Sequence, residues 1–423
     1  MRRREFAWEG ARETAAAIRG WTAEATAAVD VSAIGREVRE GGDEALLRLT
    51  TRFDATEQAP ASLRLGHELA EEALAGIDTG LRESLQLAAA NVRAVAEAQL
   101  RSEQQVTLPQ GQTVTVGELP VRAAGVYAPG GRAAYPSSVL MGCIPARIAG
   151  VERLVLATPP RADGSIDPLV LAAAALCEVD AIHPIGGAQA IFALAYGTES
   201  VSAVDVIAGP GNAWVREAKR AVYGQVGIDS LAGPSELMVV ADASTDPQWA
   251  ALDLCAQAEH GGDGPLLVTA AEAAVVEAIA AATEEAAAAR PGVGEAPLAL
   301  VVLPDDDLTA IELANCFAPE HLELLGGAAR GRAALATTAG CVFVGPHSAT
   351  AFGDYVAGSN HILPTGGAGR FSGPLSPAAF RRPAASVEVP AAAAAKLAPH
   401  VDVLARAEGF PVHGESAMIR SSQ

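Results

Sequence analysis

The chain has 423 residues, of which 50% are hydrophobic, enough to bury a large core in two or more domains. It carries 50 acidic and 30 basic residues, a formal net charge of −20, which argues against nucleic acid and anionic membranes as partners. The five cysteines lie far apart in apolar sequence without a C-x-x-C pair, which favours buried free thiols over disulfides or a thiolate metal site.

The start of the chain, MRRREFAWEG, has a basic cluster but no apolar stretch of a signal peptide behind it. No apolar run reaches the roughly 18 residues that a membrane helix needs, so we expect a cytoplasmic protein. Residues 1–24 are predicted to form a helical arm. The chain up to Val121 also favours helices, such as LRESLQLAAANVRAVAEAQL (81–100), which must pack on a sheet.

Beyond Val121, short apolar runs alternate with alanine-rich helical stretches, the pattern of parallel α/β sheets. A first series of strand-like runs covers residues 122–129, 151–160, 179–187 and 204–212. A second series covers residues 237–244, 264–270, 297–304 and 340–346, and helix returns at 390–409. The sequence therefore predicts an α/β fold with two parallel-sheet units and helical extensions at both ends.

Glycine-rich loops follow strand-like runs in the first half of this pattern, at residues 127–138, 185–190, 208–214 and 231–236. Ligands of open α/β sheets bind outside the carboxyl ends of the strands, and glycines let backbone amides approach a phosphate closely. The alternative is that glycine and proline only turn the chain. Because none of the loops matches G-x-G-x-x-G, the usual dinucleotide fingerprint is absent from them.

The segment DLCAQAEHGGDG (253–264) predicts a helix that ends at two glycines. A spacing of three residues places Gln257 and His260 on one helix face, with Asp253 one turn before Gln257. This face suits a single metal ion. It equally suits the polar outer surface of a helix, since glutamine is an uncommon zinc ligand.

The segment FGDYVAGSNHILPTGG (352–367) combines Asp354 with His361, which lies in a loop bounded by a glycine and a proline. An ordinary turn would account for the aspartate by its backbone hydrogen bonds. Together with Gln257 and His260, these residues indicate a metal site made of oxygen and nitrogen ligands, without cysteine. Four other histidines are predicted to be structural: His67, His183, His347 and His400.

In CFAPEHLEL (316–324) an acid and an imidazole, Glu320 and His321, are adjacent. One interpretation is that Pro319 begins a helix, Glu320 complements the helix dipole, and His321 is a structural residue. The other interpretation is a catalytic pair, because histidine titrates near neutral pH.

Seven motifs in this order resemble the histidinol dehydrogenase family from about residue 25 to the end: YAPGGRAAYPSSVLM, GGAQAIFALAYGTES, GPGNAWVREAKR, DSLAGPSEL, QAEHGGD, FAPEHLEL and GDYVAGSNHILPTGG. The resemblance implies a zinc-dependent, NAD-linked enzyme that oxidises L-histidinol through L-histidinaldehyde to L-histidine. It also implies a homodimer with one zinc per subunit and two incomplete Rossmann-like domains. The first domain would combine residues 25–126 with 235–374, the second would cover 127–234, and an extension over 375–423 would complete the partner's active site.

The resemblance also implies roles for individual residues. The zinc ligands would be Gln257, His260, Asp354 and His413. The same four residues would contact substrate together with Ser235, His321, His361 and Glu408. The cofactor contacts would be Tyr127, Gln189 and Asn212.

The catalytic pair implied by the resemblance is Glu320 and His321. We expect His321 to take the hydroxyl proton as hydride leaves, and Glu320 to activate the water that hydrates the aldehyde. Three alternatives are weighed against this interpretation: a related zinc dehydrogenase of another small polar alcohol, a zinc hydrolase that binds no nucleotide, and a binding protein without turnover.

Overall fold

The computed structural model describes the chain except residues 24–28, 55–56, 131–132, 262, 294, 306, 328 and 422–423. The strands are β1 (Arg2–Phe6), β2 (Gln104–Thr107), β3 (Thr113–Pro120), β4 (Ala123–Tyr127), β5 (Arg153–Thr158), β6 (Ala181–Pro184), β7 (Val206–Ala208), β8 (Gly227–Ile228), β9 (Leu237–Val240), β10 (Leu266–Ala270), β11 (Pro297–Val302), β12 (His321–Leu324), β13 (Cys341–Val344) and β14 (Arg381–Glu388).

The helices are α1 (Ala11–Ala23), α2 (Ser32–Phe53), α3 (His67–Gly76), α4 (Thr79–Ala98), α5 (Pro136–Ala149), α6 (Pro168–Leu176), α7 (Gly187–Tyr196), α8 (Ala213–Val222), α9 (Pro247–Ala258), α10 (Ala273–Ala288), α11 (Asp307–Phe317), α12 (Thr350–Tyr355), α13 (Ala391–Ala407) and α14 (Pro411–Met418). Short 3₁₀ turns occur at Ala329–Leu335, Ala368–Arg370 and Pro377–Phe380. Among the described residues, no helix combines the length and apolar character needed to cross a membrane.

Two parallel sheets confirm the predicted α/β fold. The larger has six strands in the order β1-β11-β10-β9-β12-β13, and the smaller has five in the order β6-β5-β4-β7-β8. Helices cover both faces of such sheets, so their strands are nearly continuous apolar runs such as LMVV in β9 and LLVTA in β10. β12 differs, because its apolar residues alternate with the polar His321 and Glu323.

Helices α2, α3 and α4 pack on the five-stranded sheet through α7, α6 and α5 respectively. Leu46 and Leu49 of α2 share a core with Ile191 of α7, and Val92 of α4 shares one with Val139 of α5. The grouping of residues 25–126 with 235–374 in one domain stays a prediction, and these three helices pack on the five-stranded sheet. Helical periodicity identifies a buried face but does not say which sheet will cover it.

The N-terminal segment is only partly helical, which corrects the predicted helical arm over residues 1–24. β1 is an edge strand of the six-stranded sheet and pairs in parallel with β11, where Arg2 lies opposite Pro297. Its charged side chains suit a sheet edge. The pairing depends on a strand almost 300 residues away in the sequence (2 against 297), which local patterning cannot reveal.

A third, antiparallel sheet has the strand order β14-β3-β2. Helix was expected before Val121, but TVTVGELP forms β3 because its valines and threonines alternate and favour strands. β14 leads into α13 and α14, which pack against each other as a helical hairpin. The five cysteines are free thiols; Cys143, Cys177 and Cys255 are buried as predicted, whereas Cys341 is partly exposed and Cys316 is exposed.

Candidate active site

A cavity of about 550 Å³ lies between the two parallel sheets, in the size range of small-molecule sites. One side is formed by loops at the carboxyl ends of β4, β7 and β8, as expected for an open α/β sheet. The other side is formed by residues that precede β9, β10 and β12, at the amino edge of the six-stranded sheet. The larger sheet therefore contributes to the cavity from the edge opposite to the one at which open α/β sheets usually bind ligands. The polar lining residues are Tyr135, Ser137, Ser138, Asn212, Arg216, Ser235, His260, Asp263, Glu320, His321, Asp354, Tyr355, His361 and Thr365.

The adjacent acid and imidazole lie at the beginning of strand β12, not at the beginning of a helix. Helix α11 ends at Phe317, and Ala318 has a φ of 50°, which stops helical continuation. The backbone of His321 then donates to the Glu236 carbonyl at 3.1 Å, and Cys341 donates to the Glu320 carbonyl at 2.9 Å. Sheet pairing on both sides thus overrides the local helix signal that Pro319 provides.

The ring of His321 is buried and oriented. Its Nδ1 lies 3.3 Å from the Glu236 carbonyl oxygen, which only accepts, so we assign the proton to Nδ1. Nε2 is left as a basic nitrogen, 3.7 Å from Asp354 Oδ1. Burial lowers the pKa of His321, but the charges of Glu320 and Asp354 outweigh burial and raise the pKa above its ordinary value. The ring is therefore suited to accepting a proton.

The Glu320 carboxylate is held by two donors. Its Oε2 accepts from the Glu236 backbone N–H at 2.8 Å and from Gln257 Nε2 at 3.4 Å. The Gln257 amide is thereby turned so that its buried Oε1 has no hydrogen-bond partner among the residues that the structure describes. A buried acceptor without a donor is costly, which marks Oε1 as a position for a cation or a ligand.

Three of the four predicted metal ligands converge in the cavity region. His260 Nε2 lies 3.8 Å from Asp354 Oδ2, and Gln257 lies beside Glu320, to which its Nε2 donates at 3.4 Å. The pKa of Asp354 is lowered, because the His260 hydrogen bond and the charges of His321 and His361 outweigh burial, and the pKa of His260 is raised by the same hydrogen bond. Within the described residues, no group of three or more histidine, cysteine, aspartate or glutamate side chains is arranged to hold a metal.

The helix that carries Gln257 ends earlier than the sequence predicts. α9 stops at Ala258, so His260 lies in the following turn and only Gln257 is on the helix. Asp354 lies on a short helix, α12, rather than in a turn. The expected face of Gln257 and His260 is thus replaced by a helix and a turn: His260 lines the cavity wall, and Gln257 reaches that wall through its hydrogen bond to Glu320.

A buried acid pair beneath this wall was missed by the sequence analysis. Glu323 lies two residues after His321 on the same face of β12, and its carboxyl interacts with that of Asp253 on α9. Burial raises the pKa of Glu323 well above its usual range and the pKa of Asp253 to about 6. We infer that the two carboxyls share a proton between β12 and α9, which sets Asp253 apart from the predicted metal ligands. The signal that could have revealed the buried Glu323 is the alternation of an acid with leucines in HLEL.

The predicted substrate residues Ser235 and His361 both line the cavity. His361 Nδ1 donates to the Asp354 backbone oxygen at 3.0 Å, so its Nε2 accepts from Ser138 Oγ at 3.1 Å. Burial lowers the pKa of His361, which favours this neutral form. Ser138 was not singled out from the sequence, although it lies in the quoted glycine-rich segment.

The family model named histidinol dehydrogenase matches residues 19–421, which is almost the whole chain. The chain belongs to the histidinol dehydrogenase family. It is 43% identical to the histidinol dehydrogenase of Pseudomonas fluorescens (strain Pf0-1), over 91% of this chain and 88% of that protein. It is 45% identical to the one of Parasynechococcus marenigrum (strain WH8102), over 93% of this chain and 90% of that protein.

A solved histidinol dehydrogenase from Elizabethkingia anophelis has the same fold, with a TM-score of 0.89 at 29% sequence identity. The similarity covers 99% of this chain and 98% of that one. The family resemblance predicted from the motifs is therefore confirmed by both sequence and structure.

The cofactor positions implied by the histidinol dehydrogenase resemblance lie in two different settings. Asn212 lines the cavity and caps helix α8 by accepting from Trp214 N at 3.0 Å. Tyr127 and Gln189 are buried and do not line it. The Tyr127 hydroxyl accepts from Gly187 N at 3.1 Å, and Gln189 donates to Asp54 at 3.4 Å.

Asp54 was not expected at this position. Burial raises the pKa of its carboxyl to about 6, against the hydrogen bonds from Gly186 and Gln189. The Asp54 carboxylate thus accepts hydrogen bonds at the N-terminus of α7. It lies beside Tyr127 and Gln189, two of the three cofactor positions that the histidinol dehydrogenase family implies.

The two C-terminal residues implied by the family resemblance do not reach the cavity of their own chain. Glu408 and His413 are exposed on the helical hairpin, and neither lines the cavity. The ring of His413 contacts Phe410, at 5.6 Å between centroids. The four histidines predicted to be structural, His67, His183, His347 and His400, also lie outside the cavity lining.

Proposed function

We propose that this protein oxidises L-histidinol through L-histidinaldehyde to L-histidine, with NAD as the oxidant, in histidine biosynthesis. The observation that carries the proposal is the buried pair of Glu320 and His321, each fixed by the Glu236 backbone and each facing a cavity that also contains Asp354. Membership of the histidinol dehydrogenase family supports the choice of substrate.

Gln257 Oε1, His260 Nε2 and the Asp354 carboxylate would hold the zinc ion. The buried Oε1 without a donor fits this role, and the mixture of nitrogen and oxygen donors without sulfur suits a catalytic zinc that keeps a position for substrate. When bound, zinc would orient the substrate and polarise its oxygen. The lowered pKa of Asp354 keeps its carboxylate ionised and ready to bind a cation.

His321 would act as the general base in both oxidation steps. Its Nδ1 is occupied by the Glu236 carbonyl, so Nε2 takes the hydroxyl proton of the alcohol and later that of the hydrated aldehyde. Glu320 and Asp354 stabilise the resulting imidazolium, which is the physical meaning of the raised pKa of His321.

Glu320 would supply the base for hydration of the aldehyde. Its Oε2 is engaged by Glu236 N and Gln257 Nε2, and the carboxylate takes a proton from the water that adds to the carbonyl carbon. The alcohol would lose one hydride and one proton, and the hydrate would lose the same, so oxidation of this carbon would release four electrons and require two NAD. Two proton-transfer groups side by side serve these two steps.

NAD would bind along the glycine-rich loops at the carboxyl edge of the five-stranded sheet. Asn212 lies in the cavity lining and caps α8 through its Oδ1, and its amide nitrogen would contact the cofactor. Tyr127 would contribute from the end of β4 and Gln189 from the first turn of α7, where Gly187 has a positive φ of 60° that suits glycine at the close turn into the helix.

A second copy of the chain would complete the site with its C-terminal hairpin. Glu408 and His413 lie on this hairpin among exposed apolar side chains, namely Val403, Leu404, Val412 and Ile419. An apolar surface of this kind is typical of a protein–protein interface. His413 would then be the fourth zinc ligand, and Glu408 would contact the substrate's ammonium group, in a homodimer with shared active sites.

The test is the number of NADH molecules formed per L-histidinol consumed by zinc-loaded protein, followed by NADH absorbance. We expect two. One NADH would contradict the double oxidation, and none would contradict the substrate and point to another small polar alcohol. His347→Asn, which alters a histidine outside the cavity, is the matched control and should keep wild-type stoichiometry.

A further inference from the structure

We propose that Arg19, on the N-terminal helix α1, is a positioning residue that sets the geometry of Glu320 and His321 through Glu236. The inference rests on the proposed function, because it assigns a catalytic consequence to this contact. Neither Arg19 nor Glu236 touches substrate in the proposed mechanism. Both act through the pair that does.

The first link joins Arg19 to Glu236. The two guanidinium nitrogens of Arg19 bind the two carboxylate oxygens, Nη1 to Oε1 and Nη2 to Oε2, the latter at 2.9 Å. Nη2 also donates to the Phe317 carbonyl at 2.7 Å, and the guanidinium stacks on the Phe317 ring at 3.8 Å from its centroid. A bidentate pair of this kind fixes both distance and orientation.

The second link joins Glu236 to the catalytic pair through the peptide backbone. The N–H of Glu236 donates to Glu320 Oε2 at 2.8 Å. Its carbonyl accepts from His321 N at 3.1 Å and faces His321 Nδ1 at 3.3 Å. A shift of this one residue therefore displaces the carboxylate and the imidazole together.

Arg19 is needed because, without its positive charge, the ionised Glu236 carboxylate would be buried and close to a second negative charge. The side chain is almost completely buried, at 3% exposure, and Glu320 lies close enough to repel it. Burial raises the pKa of Glu236, and Arg19 is the largest influence that opposes this rise. Loss of the guanidinium would leave a buried charge unpaired, and the residue would move or take up a proton.

A purely structural role is the competing explanation, since Arg19 also fastens α1 to the end of α11 through Phe317. The two explanations differ in what they predict for turnover. If Arg19 only holds α1 against α11, its loss lowers the unfolding temperature. If it positions the catalytic pair, its loss lowers kcat even in a variant that stays folded.

The experiment compares three variants with the wild type in kcat, KM and unfolding temperature, for both the alcohol and the aldehyde. Arg19→Met removes the bidentate contact with Glu236. Combining Arg19→Met with Glu236→Gln removes both charges, so that no buried charge remains unpaired. Arg3→Met is the control, because it breaks the Arg3–Glu277 ion pair on the same N-terminal segment without touching Glu236.

We expect Arg19→Met and the double variant to lower kcat about tenfold or more in both steps with KM for NAD unchanged, because misplaced groups lose rate. Arg3→Met should keep wild-type kcat. Wild-type kcat in the folded double variant would overturn the inference even if Arg19→Met alone fails to fold. Equal losses of kcat in Arg3→Met and Arg19→Met would overturn it as well, in favour of simple fastening.

Crystal structures of the wild type and the double variant give a readout that does not depend on turnover. A displaced Glu320 carboxylate or His321 ring is expected, and an unmoved pair overturns the inference. An inactive wild type with intact geometry would instead contradict the proposed function, so the two failures are distinguishable.

Discussion

The amino edge of the six-stranded sheet and the C-terminal hairpin carry predicted ligands for the same zinc ion, but they are built in opposite ways. At the sheet edge, Gln257, Glu320 and His321 are buried, and each has a hydrogen-bond partner within the chain. On the hairpin, Glu408 and His413 are exposed beside apolar side chains. One region is preorganised by its own fold, and the other requires a partner surface.

This difference separates two kinds of failure. A change in the catalytic pair at the sheet edge should remove chemistry from a site that still binds metal, because the ligands keep their packing. A change on the hairpin should remove a ligand and leave the fold of the chain unaffected, because exposed side chains contribute little to stability. The following variants test this separation, from the largest expected effect to the smallest.

His321→Asn is expected to have the largest effect. Removing the base should lower kcat about 10²- to 10⁴-fold for both the alcohol and the aldehyde, in the range of general-base contributions. Zinc content and unfolding temperature should stay close to wild type. The measurements are turnover with each substrate and metal analysis of the same sample, and loss of zinc together with turnover would assign the residue to the metal instead.

His413→Asn and Asp354→Asn should lose zinc and activity together, because each removes one of four ligands. Compared without zinc, only Asp354→Asn should also change the unfolding temperature, since Asp354 is buried and pairs with His260, whereas His413 is exposed on its own chain. Metal analysis after dialysis and thermal unfolding provide the comparison. An inactive variant with full zinc content would remove that residue from the ligand set.

Glu320→Gln should slow oxidation of the aldehyde about 10²-fold and spare the alcohol step, because only hydration needs this base. The glutamine oxygen still accepts the Glu236 N–H, so the loop should keep its geometry. Separate assays started from histidinol and from histidinaldehyde give the two rates. Equal losses in both would show that the carboxylate serves both steps.

Glu323→Gln should have the smallest effect, on stability alone. The folded chain raises the pKa of both Asp253 and Glu323, so the shared proton stabilises it fully below the unfolded pKa values of about 4 and this contribution is lost as pH rises through about 6. The introduced glutamine would replace that proton with an amide donor. The stability of the variant should therefore fall by about 1 kcal/mol less than that of the wild type between about pH 5 and pH 8.

Chemical denaturation at the two pH values measures this difference. Aspartate and glutamate residues outside the pair titrate in both proteins and cancel in the comparison. Parallel curves for wild type and variant would mean that the two carboxyls do not share a proton.

Sequence patterns predicted the two parallel sheets and the family, because buried strands and glycine-rich motifs are local features. They did not predict that Glu320 and His321 begin a strand, since that depends on backbone pairing with Glu236 and Cys341 on neighbouring strands. Helix periodicity likewise placed Asp253 beside the metal ligands, whereas its partner Glu323 comes from a strand 70 residues further on (253 against 323). Contacts between distant segments are the part that local patterns leave undetermined.

The roles of the individual residues and the division into domains stay predictions. The structure places His260, Asp354, Glu320 and His321 in the wall of one cavity and joins Gln257 to Glu320, which the spacing of these residues in the sequence does not require. It leaves Glu408 and His413 outside that wall. The dimer is therefore the proposal on which the whole site depends.

Coexpression of two inactive chains, one with His321→Asn and one with His413→Asn, tests that dependence most directly. If the hairpin of one subunit completes the cavity of its partner, each hybrid dimer has one intact site, and random pairing restores about a quarter of wild-type activity. We expect this restoration, together with zinc at the intact sites. No activity above that of the separate variants would show that each hairpin serves its own chain, and would contradict the shared active site.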